Sequence, residues 1–196
     1  IVLAGQSGAV YKENNETKTV SYEHLFDVSN QIAFDGLNNL AFYPNRDSLG
    51  YIPTYKLPDA ATFIRTTLRH VDFFKGWNAI VHAGLTNDSI ALDPAGLTFA
   101  RWSVPILPFV NQDNKSMLEY LGLFEEIPVP GTARNSADIL QYRVESKLKM
   151  MPADKDMIVM LHEFGFSLDS RNHSLKSCLV VKGEDSMRTA MAKTVG

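Results

Sequence analysis

With a single cysteine, Cys178, the chain can form neither an internal disulfide nor a cysteine-rich zinc site, which fits a reducing compartment. No apolar run approaches the roughly 20 residues that a membrane-spanning helix needs. Basic excess is also missing. Against 22 Asp and Glu stand 19 Lys and Arg, a net charge of -3, so nucleic acid is not the expected partner. No glycine-rich turn follows a strand in the manner that cradles a dinucleotide pyrophosphate. The five histidines, His24, His70, His82, His162 and His173, show no metal-ligand spacing, so no metal site is expected. "GQSGA" at 5–9 approaches a nucleophile elbow, but Ala9 stands where a second glycine is required and no preceding strand is visible.

What is present suits a globular protein. The 196 residues, 45% hydrophobic and 21% charged, are enough for one domain, 1–196, with a substantial core. Both ends read as cut from a longer protein: "IVLA" opens without an initiator Met or a charged leader, and "TAMAKTVG" is an apolar-periodic stretch that ends abruptly. Residues 1–11 read as the tail of a helix, "KENNETK" as a polar turn and Thr19 to Tyr22 as a short strand. Leu40-Ala41-Phe42-Tyr43 ends a strand that Pro44 stops, since proline cannot donate to a ladder. Ala61 to Arg69 or His70 suggests another strand. Asp72 is placed to cap a helix with Phe73, Trp77, Ile80 and Val81 on one face and Gly84 at its end.

Residues 86–113 are loop-rich and receive no assignment, and "NKSMLEYLGLF" reads as a helix of about two turns. After Asn135 a longer helix turns Leu140, Val144, Leu148 and Met151 inward and Arg143, Glu145 and Lys147 outward. Met157 to Leu161 is apolar on both faces, and beyond it Phe164, Phe166 and Leu168 alternate inward against Glu163, Gly165 and Ser167. "DSRN" at 169–172 turns the chain, and His173 to Val181 returns as the partner strand. The expected class is α+β, a mixed, largely antiparallel sheet with helices packed on one face.

Two strand ends are candidate anion sites. Arg46 projects from the "YPNRDS" turn and Arg69 closes "TTLR", each among hydroxyl or amide side chains. A guanidinium holds a carboxylate bidentately and a threonine hydroxyl adds a donor. The competing reading pairs Arg46 with Asp47 or Asp59 and Arg69 with Asp72, as surface ion pairs of little consequence.

"YPNRDS", "IRTTLRH", "DKDMIVMLHEFGF" and the terminal "AMAKTVG", in that order across residues 43–196, resemble the substrate domain of the glutamate-forming saccharopine dehydrogenase family. The resemblance implies a two-part enzyme in which a Rossmann domain outside this chain holds NADP(H) or NAD(H). In that reaction aminoadipate semialdehyde and glutamate condense to an imine that hydride reduces to saccharopine, a step of lysine metabolism. Saccharopine carries three carboxylates. By resemblance Arg46, Thr67, Leu68 and Arg69 are its contacts, while Asn45 and Asp47 hold the turn; no residue is assigned as general acid or base. A homodimer formed through an exposed sheet face, in the cytoplasm or in mitochondria, is implied as well. This chain departs from the family pattern at Thr66, His70, Lys182 and Thr189, and is shorter over residues 86–135, which bears on the substrate. The alternatives are a sibling oxidoreductase on another amine and carbonyl pair, such as carboxynorspermidine formation, and a non-catalytic binding module.

Overall fold

Two asparagines decide the first element pair. β1 (Ala9–Glu13) and β2 (Glu16–Val20) pair antiparallel, with Ala9 opposite Val20 and Glu13 opposite Glu16. Between them Asn14 and Asn15 take φ of 50° and 66°, the consecutive left-handed conformations of a tight hairpin turn, which asparagine tolerates better than most residues. Residues 9–11 are therefore strand, not the helix tail expected from their apolar character. A short apolar run has no period that separates the two states, and here the turn chemistry settles it. Tyr22, expected at a strand end, opens the 3-10 turn Tyr22–His24.

The computed structural model describes residues 2, 6–27, 30–34 and 36–195, and the chain divides into two compact units, Ile1–Lys147 and Leu148–Gly196. In the first, β3 (Gln31–Phe34), β4 (Leu37–Pro44) and β5 (Thr66–His70) form an antiparallel sheet in the order β3-β4-β5. Tyr43 lies opposite Thr67 and Ala41 opposite Arg69. Between β4 and β5 runs the single helical turn α1 (Tyr51–Thr54). α2 (Val71–His82) follows β5 directly and buries Val71, Phe74, Trp77, Ile80 and Val81. Its cap is His70, whose ring accepts from the Asp72 N–H at 3.3 Å, rather than Asp72 itself. Asp72 lies in the first turn instead, 3.3 Å from the Lys75 ammonium, where a carboxylate suits the helix dipole.

The unassigned stretch contains α3 (Phe99–Trp102), capped by the Thr98 hydroxyl, and a 3-10 run at Val104–Phe109. α4 (Lys115–Tyr120) and α5 (Ser136–Lys147) complete the unit. α5 corrects one expectation: Arg143 does not face outward but is 4% exposed. Its guanidinium donates to the Gly122 carbonyl at 2.8 Å and to the Glu125 carboxylate, and lies 4.3 Å from the centre of the Phe99 ring. An arginine on the inner face is invisible to a polar-out rule, because its partners come from elsewhere in the chain. Leu148 and Met151 fall beyond the end of α5 and are exposed. The core is threaded by an aromatic group in which Tyr43 packs 5.0 Å from Phe26 and 5.9 Å from Phe74, ring centre to ring centre.

The second unit is a long hairpin with a short helix. β6 (Met157–Leu168) and β7 (Arg171–Lys182) pair along their full length around Asp169 and Ser170, at φ of 49° and 59°. α6 (Ala190–Val195) starts where the Ala190 N–H donates to the Asp156 carboxylate at 2.6 Å. Phe164, Phe166 and Leu168 do share a face, joined across the hairpin by Leu175 and Leu179. That face is not inward, since Phe164 and Phe166 are each 48% exposed. Alternation fixes which side chains share a face, whereas burial needs something to cover it. The α+β class stands, but among the described residues the strands form three small antiparallel sheets rather than one mixed sheet. Among the described residues no helix is long and apolar enough to cross a membrane.

Candidate functional site

β4 delivers the site. Its last inward residue, Tyr43, is anchored in the core, and Pro44 ends the ladder, so the following turn starts from a fixed point. Hydrogen bonds then hold that turn from two sides. The Asn45 N–H donates to the Arg65 carbonyl at 2.8 Å. From β1, the Val10 N–H donates to the Arg46 carbonyl at 3.0 Å, and the Val10 carbonyl accepts from Ser48 at 2.8 Å. Asp47 accepts from the N–H groups of Leu49, at 2.7 Å, and Gly50, at 3.4 Å, so its carboxylate serves the backbone. Held this way, Arg46 takes φ of 52°, a left-handed conformation that a residue with a Cβ adopts at a cost.

Arg46 and β5 enclose a cavity of about 280 Å³ lined by Tyr43, Pro44, Asn45, Arg46, Tyr51, Arg65, Thr67 and Arg69. Three sequence-predicted contacts, Arg46, Thr67 and Arg69, meet there. Leu68 does not line it: it lies opposite Phe42 on the other face of the sheet. Phe42 donates its N–H to Asn30, on the side away from β5, so the backbone of Leu68 points to the unpaired edge of β5. The Leu68 carbonyl accepts there from the Arg69 guanidinium at 3.2 Å. Arg69 also lies 5.9 Å from the centre of the Phe73 ring.

The ion pairs offered as the competing reading do not form among the described residues. Asp47 bonds backbone N–H groups, and Asp72 is within 3.3 Å of both Lys75 and His70. The cavity lining thus holds three guanidiniums, a threonine hydroxyl and an asparagine, with no carboxylate. Such a lining favours anions with paired oxygens, carboxylates and phosphates alike, because each guanidinium offers a planar fork of donors.

Arg65 and Tyr51 are the lining residues that the sequence reasoning missed. Arg65 stacks with its Cζ 3.7 Å from the centre of the Tyr51 ring. The missed signal was the period of two: Arg65, Thr67 and Arg69 alternate along an extended segment and so project to one side. Thr66, at a departure from the family pattern, is exposed beside the cavity residues and opposite Pro44. Of the other departures, Thr189 caps α6, its hydroxyl accepting from Ala192 at 3.0 Å, and Lys182 ends β7.

A larger cavity of about 450 Å³ between α2 and the Val104–Phe109 run is lined by Asp27, Lys75, His82 and Asp113 among others. Its charges are mixed and two of them are engaged: Asp27 bonds His24 and Asn78, each at 3.2 Å, and Lys75 pairs with Asp72. It has no comparable bias toward one ligand charge. The "GQSGA" stretch provides no elbow either. Ser7 lies in an exposed turn leading into β1, not between a strand and a helix, and Gly5 falls outside the described residues.

Comparison with known proteins supplies the family. The model for the saccharopine dehydrogenase C-terminal domain matches residues 1–196. The mitochondrial alpha-aminoadipic semialdehyde synthase of Bos taurus is 35% identical over 187 residues, covering 83% of this chain and 20% of that protein. The NADP(+), L-glutamate-forming saccharopine dehydrogenase of Saccharomyces cerevisiae is 26% identical over 225 residues, covering 100% of this chain and 49% of that protein. A solved apo structure of saccharopine dehydrogenase (L-Glu forming) from Saccharomyces cerevisiae superposes with a TM-score of 0.85 at 26% identity, covering 99% of this chain and 49% of that one. The chain therefore spans about half the length of the yeast enzyme and a fifth of the bovine one. Matched along its whole sequence and sharing the fold of a solved member, the chain belongs to the saccharopine dehydrogenase C-terminal domain family.

Proposed function

We infer that this domain is the substrate-binding part of an oxidoreductase of lysine metabolism that interconverts saccharopine with glutamate and aminoadipate semialdehyde. The observation that carries the reading is the cavity lined by Arg46, Thr67 and Arg69 with no carboxylate in its lining. Saccharopine, with three carboxylates, needs several fixed cations, and the held Arg46 turn and β5 supply them. Arg46 and Arg69 each take one carboxylate, Thr67 adds a hydroxyl donor, and the edge-facing N–H of Leu68 is a further donor. Clamping both ends of the ligand fixes the imine between them, and such positioning is worth up to about 7–11 kcal/mol in the best intramolecular cases.

The hydride source in this reading is NADP(H) or NAD(H). By the family resemblance this cofactor is held mainly by a Rossmann domain outside this chain. The apolar face of β6 and β7 favours a homodimer, because a two-stranded hairpin with an exposed apolar face is marginal in water by itself.

Saccharopine oxidation by the intact protein with each nicotinamide cofactor tests the reading. Arg46→Ala is expected to lower kcat/KM about 30- to 100-fold, in line with roughly 2–3 kcal/mol for a lost charged hydrogen bond. Absence of turnover with saccharopine while cofactor still binds would remove it, and the sibling chemistry on another amine and carbonyl pair would be assayed next.

A further inference from the structure

Arg65 is held at both its backbone and its guanidinium. Its backbone N–H donates to the Ser48 hydroxyl at 3.0 Å, its carbonyl accepts from Asn45 at 2.8 Å, and Ser48 is fully buried. Its guanidinium, 3.7 Å from the centre of the Tyr51 ring, is stacked rather than paired. Among the described residues no carboxylate forms an ion pair with Arg65, Arg46 or Arg69. A guanidinium stacked on a ring has lost rotamer freedom before a ligand arrives, yet keeps its in-plane N–H edge for a bidentate partner.

We propose that Arg65, oriented by Tyr51, is a third carboxylate-binding arm of this cavity and makes it selective for a tricarboxylate over dicarboxylates. This rests on the reading of the cavity as the saccharopine site and deepens it: three carboxylates meet three guanidiniums. Arg65 touches the ligand, whereas Tyr51 is a positioning residue that acts through Arg65.

The test is calorimetric binding to the intact protein of saccharopine and of three dicarboxylate analogues, each lacking one of its carboxylates. These are N-(5-aminopentyl)glutamate, N6-(1-carboxypropyl)-lysine and N6-(3-carboxypropyl)-lysine. Arg65→Met keeps most of the apolar stem and is expected to weaken saccharopine about 10- to 100-fold. It should weaken two analogues comparably and leave the third nearly unchanged, the one whose missing carboxylate Arg65 would hold. Tyr51→Leu should show a smaller loss with the same ligand pattern, and Arg65→Lys a partial recovery. If Arg65→Met fails to fold, those two variants carry the same comparison.

Equal losses for all four ligands, or no loss, would overturn the proposal, since a residue that merely packs cannot single out one carboxylate. Failure of the underlying reading looks different. In that case the unmodified protein does not bind saccharopine, or Arg46→Met and Arg69→Met leave its binding intact.

Discussion

Replacing Arg46 by glycine and by alanine should give stabilities in the reverse of their usual order. Arg46 has φ of 52°, and the bonds from Val10 and Asn45 hold its turn in place whatever side chain it carries. A left-handed backbone at a residue with a Cβ costs roughly 1–2 kcal/mol, and alanine retains that cost. Glycine escapes it but loses about 0.5–1 kcal/mol through its greater freedom in the unfolded chain. The difference leaves Arg46→Gly more stable than Arg46→Ala by about 0.5–1 kcal/mol, or some 1–4 °C in Tm for a chain of this size. At an ordinary strand or helix position alanine would lead by a similar margin, so the sign alone is diagnostic. Urea unfolding of both variants, with equal slopes, reads it. Arg46→Asn should fall between them, because asparagine tolerates the left-handed region. On the proposed reading of the cavity, both Arg46→Gly and Arg46→Ala should lose saccharopine binding to the same degree, since both remove the guanidinium. Alanine equal to or more stable than glycine would refute the idea that the turn stores strain to aim Arg46.

Three further outcomes follow from the structure. Gly122→Ala should destabilise by about 2–4 kcal/mol in urea unfolding, because Gly122 has φ of 70° and a Cβ there would collide with the Arg143 guanidinium and the Glu125 carboxylate. Hydrogen bonds from the Arg188 backbone and side chain, and from the Met187 N–H, lower the Asp185 pKa to about 2. Its folded value thus lies below the unfolded one, about 3.9, so the stability it contributes is present above that pH and is lost as pH falls toward 2. Carboxyl NMR titration should place Asp185 near 2 and move it toward the ordinary value in Arg188→Ala; an ordinary value in the parent protein would contradict the geometry. On the homodimer proposed above, Phe164→Lys on the exposed face of β6 should weaken association by at least about 30-fold in sedimentation equilibrium, as expected for a buried aromatic anchor. An unchanged oligomeric state would exclude that face as the contact.

Much of the fold was legible in local pattern. The amphipathic face of α2, the Gly84 stop, the strand end at Pro44 and the long hairpin around Asp169 are fixed by periodicity and turn chemistry within a few residues of each other. Readings failed where turn chemistry was not weighed or where the deciding partner is distant. β1 needed the Asn14-Asn15 turn and its pairing with β2 to be told from a helix. The inward Arg143 needed Gly122 and Glu125, some twenty residues earlier in the chain, and its charge gave no hint of them.

The candidate site divides in the same way. The resemblance of four ordered segments named Arg46, Thr67, Leu68 and Arg69, of which all but Leu68 line the cavity, while the alternation along residues 65–69 that puts Arg65 with them was present in the sequence but not used. By itself, then, the sequence determined the class of the protein, its family and which side chains share a strand face, because these depend on neighbours in the chain. Only the tertiary structure decided that β1 straps the Arg46 turn, that Asp47 turns to backbone while Arg65 lies on Tyr51, and that Leu68 faces away. Those outcomes depend on which groups win a limited set of hydrogen-bond and stacking partners, a competition settled only when distant segments meet.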